Sequence, residues 1–211
     1  MTKFHQFGWL LAACLAGMLF AGGFQDASSK VGVVDLAKIV EGSNFGKQNQ
    51  ETFAQLKKAR EDLLEFIDTN RVLTNEQATQ IRDLSLKPNR SNEENAQLER
   101  VKAEVVAAFK RWQELSTKPN MSAEERMLVE EYARRSQTMN EVAQRWFREF
   151  TTEMQTWADR QKVESVRRAR VAISEVAKAQ GFTVVFEVGV APYGANDLSD
   201  AALQSMNAQR P

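Results

Sequence analysis

From Ala123 to Gln180 the chain contains neither glycine nor proline. These are the residues that most readily break a helix, so the stretch reads as one uninterrupted helix. At 1.5 Å per residue it would rise about 90 Å. Leu128, Tyr132, Met139, Val142, Trp146, Phe150, Met154 and Trp157 recur along it at threes, fours and a seven. Val163, Val166, Ala169, Ile173 and Val176 continue the stripe more thinly. A long helix with one narrow apolar stripe and charges elsewhere must pair with another helix. The partner expected is the preceding segment, residues 45–120.

That segment is punctuated. From Phe45 to about Val72 the apolar residues Phe53, Leu56, Leu63, Phe66 and Ile67 predict a helix. Thr74-Asn75-Glu76-Gln77, Ser91-Asn92-Glu93-Glu94 and Ser122-Ala123-Glu124-Glu125 each carry the capping-box pattern. In that box a hydroxyl accepts an amide proton three residues on, and the Glu or Gln reaches back. Leu84 to Glu94 also matches Leu115 to Glu125 at eight of eleven positions. In each copy proline ends one helix and serine starts the next. Two copies are too few for a solenoid, so they read as two similar corners. The dipole of each helix start accounts for Glu93-Glu94 and Glu124-Glu125 without any acid/base role.

The two ends differ from this middle. Lys30-Val31-Gly32-Val33-Val34-Asp35-Leu36 predicts a short buried strand, and Ala37 to Glu41 a helical turn that Gly42-Ser43-Asn44 breaks. Gly181 ends the long helix, and Phe182 to Val188 reads as a second strand. Asp197-Leu198-Ser199-Asp200 caps a short last helix, Ala201 to Asn207.

The first residues suggest export. Lys3 gives a positive start, Phe7 to Phe24 carries no charge, and Ala21-Gly22-Gly23 supplies small residues. This order is that of a secretory signal peptide. A retained membrane anchor is the alternative, since 18 uncharged residues just suffice to span. Leu11-Ala12-Ala13-Cys14 is a weaker match to a lipid-attachment box. The only cysteine, Cys14, and the only histidine, His5, both lie in this segment. Its removal would exclude thiol nucleophiles, disulfides, histidine bases and Cys/His zinc sites. The 28 basic and 28 acidic residues balance, which disfavours a nucleic-acid partner.

The two ends together resemble the Skp/OmpH family of periplasmic chaperones. Val31-Gly32-Val33-Val34-Asp35-Leu36 is similar to that family's first strand. Ala177 to Phe186 is similar to its return through a helix, a glycine-aromatic pair and a Val-rich strand. Tyr193, Asp197-Leu198-Ser199-Asp200, Leu203 and Met206 are similar to its closing strand and capped helix. The resemblance covers about 60 residues; the middle matches only in being helical and charged. It implies a homotrimer whose strands form a small body, with helical hairpins around a cavity for unfolded outer-membrane proteins. It implies no enzyme activity and no cofactor. The chain departs from the family in its neutral charge, in Pro192 where a strand would continue, and in the corners at Pro88 and Pro119. Neutrality leaves contact with a membrane surface open.

The expected fold is therefore mostly α with a small β body: long helical-hairpin, coiled-coil-like arms projecting from a β-strand trimerisation core. Residues 1–27 form the signal and linker, 28–44 with 177–211 the body, and 45–176 the arm, with extra helices at 74–86 and 92–117. Val31, Val33, Leu36, Val184 and Phe186 are the candidates for the oligomerisation core. Trp112, Trp146, Phe147, Phe150, Met154 and Trp157 are the candidates for client contact, using aromatic and Met side chains that adapt to varied sequences. The competing reading of this aromatic patch is the seam between helices. Phe147 discriminates, because it lies about 100° round the helix from Trp146. A structural or adaptor protein of the cell envelope is the alternative function.

Overall fold

The computed structural model describes residues 30–192 and 196–209. Residues 1–27, expected to be a signal and linker, and Tyr193 lie outside the described residues. The described residues are mostly helical, with one two-stranded sheet among them. In order it forms β1 (Lys30–Val34), α1 (Leu36–Gly42), α2 (Asn44–Thr69), α3 (Asn75–Leu86), α4 (Asn92–Ser116), α5 (Ala123–Ala179), β2 (Phe182–Glu187) and α6 (Ser199–Ala208). It divides into two compact units. One holds the residues up to Ser43 together with Val166 onward, and the other holds Asn44–Ser165.

In the strand-bearing unit, β1 and β2 pair in parallel, with Val31 opposite Val184 and Val33 opposite Phe186. On its other edge β1 is also engaged. Val33 N–H donates to the Asn196 carbonyl at 2.8 Å, and Leu198 N–H donates to the Val33 carbonyl at 2.9 Å. β1 is thus paired on both sides. Gly32 lies in a close approach: a Cβ there would stand 3.0 Å from the Leu198 side chain and 3.1 Å from Phe182, so a larger residue would make those side chains give by a few tenths of an ångström. β2 stops at Glu187, whose carbonyl accepts the amides of Val190 and Ala191 in a turn just before Pro192.

α1 starts at Leu36, earlier than the expected turn. Asp35 caps it by accepting the Lys38 amide at 2.9 Å. Leu36 consequently belongs to a helix and is only half-buried, so its placement in a strand core is corrected. Ser199 ties the unit together. It is fully buried, its Oγ accepts the Asp35 amide at 2.7 Å, and it donates to Asp197 Oδ1 at 2.5 Å. The N-cap of α6 is Leu198 and makes no side-chain cap bond. Asp197, one residue earlier, accepts the Ser199 amide instead, at 2.8 Å. These bonds hold the Asp197 carboxyl below its ordinary pKa.

The last stretch of α5 also belongs to this unit, which moves the boundary expected at 176/177 to 165/166. Ala169 and Ala172 there are fully buried, and Glu175 accepts the Ser205 hydroxyl from α6 at 3.0 Å. Ala169 belongs to the expected stripe, whereas Ala172, three residues on, was not among its residues and is buried all the same. α5 ends as expected at Gly181, in the left-handed region with φ +73°.

The helical unit shows why the outbound segment needs its punctuation. α2 ends at Thr69, shorter than the expected reach to Val72. Asn70 is buried and its side-chain amide donates to the Phe66 carbonyl at 3.0 Å, which turns the chain. Val72 and Leu73 then drop into the interior, each 1 % exposed. All three capping boxes form: Thr74 with Gln77, Ser91 with Glu94, and Ser122 with Glu125. The two similar corners share one more device. Lys87 pairs with Glu94, and Lys118 with Glu125, across each proline. They differ at the residue after asparagine. Arg90 donates to the Leu84 and Ser85 carbonyls, whereas the second copy has Met121 in its place.

One core runs through this unit. Leu63 and Ile67 of α2, Ala78 and Ile81 of α3, Leu98, Val101 and Val105 of α4, and Met139, Val142, Trp146 and Phe150 of α5 form a single buried cluster. The extra helices therefore pack on the long one, and the unit is a bundle segment in place of a plain two-helix seam. Val163 is the exception to the stripe, 71 % exposed. It lies six residues beyond Trp157, about 240° round the helix, and so leaves the buried face.

Candidate functional site

Trp146 and Phe150 sit one turn apart on α5, each 3 % exposed, with ring centroids 6.3 Å apart. Two arginines cover their outer side. Arg82 of α3 lies 5.0 Å from the Trp146 ring and 5.4 Å from that of Phe150. Arg60 of α2 lies 5.5 Å from Phe150. Each guanidinium is oriented by carboxylates of α5. Arg82 meets Glu149 at 3.1 Å, and Arg60 meets Glu153 at 3.0 Å. This clasp across three helices satisfies the charges while turning the arginine faces onto the rings. Trp146 and Phe150 are thereby placed as packing residues, and their role as exposed client contacts is corrected.

Phe147 behaves differently. Though adjacent to Trp146, it is 62 % exposed. It stands at a groove of about 340 Å³ between α2 and α5. Phe53 and Leu64 line the α2 wall, and Phe147, Phe150 and Met154 the α5 wall. Lys57, Arg60 and Glu61 lie along the α2 side. The α5 wall adds Thr151, Gln155 and Ala158, none of them charged. Trp157 is half-buried and packs against Phe53, ring centroids 5.8 Å apart. Trp112 takes no part. It pairs with Phe109, one turn away on α4, at 6.0 Å, and neither belongs to the core cluster.

The α2 wall was not among the expected site residues. Its signal is present: Phe53, Lys57, Arg60 and Leu64 recur at fours and threes, and so share one helical face. What periodicity does not reveal is which part of that face stays open.

The proposed oligomer residues form a second apolar surface. Register and pleat place Val31, Val33, Val184 and Phe186 on one face of the sheet. Val33 is 5 % exposed, while Val31, Val184 and Phe186 are 43, 42 and 41 % exposed. Among the described residues no group of three or more acidic, His or Cys side chains is arranged to hold a metal. No helix among them is long and apolar enough to cross a membrane. Set against protein-family models, curated proteins and solved structures, the chain matches none.

Proposed function

We propose that this protein is an exported, ATP-independent holdase that keeps unfolded outer-membrane proteins soluble in the periplasm. Its signal peptide is removed on export, and it acts as a homotrimer with no catalytic role. Three copies join through their small sheets, and clients are held in a cavity between the helical arms. The observation that carries the reading is Phe147, a large aromatic side chain left 62 % exposed beside an apolar groove. Aromatic and Met surface of this kind accepts varied apolar segments. The sheet supports the oligomer. Two parallel strands alone are marginal, and parallel sheets are normally covered on both faces. Here one face leaves Val31, Val184 and Phe186 open. The family resemblance of the two ends supports the client class. Binding is reversible, and client insertion into a membrane draws it away by mass action.

The test is to dilute a denatured outer-membrane barrel into the mature protein and follow aggregation by scattering, after measuring the mass of the protein alone. A trimer that suppresses aggregation at stoichiometric excess is expected. A monomer that leaves aggregation unchanged removes the reading. One observation favours a second reading, an adaptor that holds a single folded partner of the cell envelope: two residues of the aromatic patch, Trp146 and Phe150, are internal packing. Stable capture of one folded envelope protein, with no effect on unfolded barrels, would establish it.

A further inference from the structure

We propose that the corner between α4 and α5 is an electrostatic latch: held through the Glu125 carboxylate, it opens locally and lets the last turn of α4 unwind and uncover Leu115. The chain carries its own control, the similar corner between α3 and α4. Leu84 to Glu94 and Leu115 to Glu125 agree at eight of eleven positions. In both, a lysine pairs with a glutamate, a serine hydroxyl accepts that glutamate's amide at 3.2 Å, and the carboxylate accepts the serine amide. The first corner has a further fastening that needs no glutamate. Arg90 Nη1 donates to the Leu84 and Ser85 carbonyls at 2.8 and 3.1 Å, and its Nε donates to Asn95 Oδ1 at 2.9 Å. These bonds tie the end of α3 to the first turn of α4. Asn89, just before Arg90, is the one non-glycine with positive φ among the described residues, at +58°. Ser85 and Arg90 also line a recess with Ala59, Asp62, Leu63 and Phe66 of α2, so a third helix backs that corner.

At the second corner Met121 stands in the place of Arg90. Methionine offers no donor, so this clamp on the helix-end carbonyls is missing. The fastening across the corner rests on Glu125. Lys118 Nζ reaches both its oxygens at 2.7 Å, Arg111 lies 3.7 Å away, and the Ser122 amide donates to it at 3.0 Å. Lys118 and Arg111 are about half exposed, and ion pairs of that kind contribute little and weaken with salt. Leu115 is 1 % exposed and lies in the last turn of α4. Its carbonyl accepts the Lys118 amide at 3.0 Å. Loss of the Glu125 contacts therefore frees the turn that keeps this leucine covered. The holdase reading gives an uncovered leucine a use, but the latch does not rest on that reading.

The test is hydrogen exchange of the full mature protein without client, followed residue by residue by NMR and corrected for intrinsic rates. The Lys118, Ser122 and Glu125 amides have the same kinds of acceptor as those of Lys87, Ser91 and Glu94, so a difference between the sets reports opening. The second-corner set is expected to exchange about tenfold faster or more, with the Leu115 amide following it. Raising the salt concentration should accelerate that set and move the first little. Glu125→Gln keeps a capping-box acceptor but removes the charge, and should speed the second set about tenfold further. Glu94→Gln should change the first set by less than about threefold, because the Arg90 clamp remains. Arg90→Met should make the first set as labile and as salt-dependent as the second. Equal protection of the two sets in the parent overturns the proposal, with no variant needed. So does a salt response shared by both corners, or a Leu115 amide that stays protected while the corner opens. A protein that leaves barrel aggregation unchanged removes the holdase reading alone, since exchange is read without client.

Discussion

Phe147 and Phe150 are one turn apart on the same helix, and truncating each should have opposite consequences. Phe150 is 3 % exposed, within the cluster that joins α2, α3, α4 and α5. Phe150→Ala removes a full aromatic side chain from a packed core, a change that costs about 3–5 kcal/mol. It also strips Arg60 and Arg82 of the ring they cover at 5.5 and 5.4 Å. Cation–π contacts at such partly exposed sites contribute about 0.5–1 kcal/mol each, already counted within that range. Phe147 is 62 % exposed, and Phe147→Ala should change stability by less than about 1 kcal/mol. The assay is urea unfolding followed by tryptophan fluorescence. Apart from Trp9, which lies outside the described residues, every tryptophan lies in the helical unit, so the fluorescence of Trp112, Trp146 and Trp157 reports that unit. The midpoint should fall sharply for Phe150→Ala with little change in slope, and barely move for Phe147→Ala. Equal losses for the two variants, or a Phe150→Ala loss under about 1 kcal/mol, would refute the division between packing and open surface.

Two further outcomes follow from local geometry. Glu94 and Glu125 have lowered carboxyl pKa values, chiefly through hydrogen bonds from Lys87 and Lys118 and then through the Ser91 and Ser122 amides. Folded values below the ordinary 4.5 mean that their contribution is fully present above that pH and is lost as pH falls through the lowered values. Lys87→Met with Lys118→Met should therefore flatten part of the acid dependence of the melting temperature below about pH 4.5, and an unchanged profile would contradict the paired-corner account. Ser199→Ala leaves the Asp35 amide without its buried acceptor and should cost about 1–3 kcal/mol. Hydrogen exchange at the Asp35 and Ser199 amides should then accelerate, whereas unchanged protection would show that the hydroxyl is dispensable.

Much of the fold was legible because it is written in short-range chemistry. The three capping boxes, the proline corners and the stop at Gly181 each involve residues three or four apart, so each helix boundary they define could be read without knowing what the helix packs on. The end of α2 was not read: the expected reach was to about Val72, while the side-chain amide of Asn70 bonds back four residues to the Phe66 carbonyl and the helix stops at Thr69. Leu36 was misplaced because a Val-rich strand continuing into leucine looks like more strand, while the deciding event is the cap made by the residue just before it, Asp35, on the Lys38 amide.

The aromatic patch marks the limit. Trp146, Phe147 and Phe150 have the same hydrophobic character, and periodicity separates only the direction in which each points. By itself the sequence determined that this chain makes long capped helices between two short strands, because caps, breakers and apolar spacing act within a turn or two. Tertiary structure alone decided that α3 and α4 share a core with α5, that Arg60 and Arg82 cover Trp146 and Phe150, and that Phe147 stays open above a groove. It also decided that β1 pairs in parallel with a strand more than a hundred residues away. Those outcomes depend on which faces meet across the chain, and burial is a property of both partners, which no single stretch of residues carries.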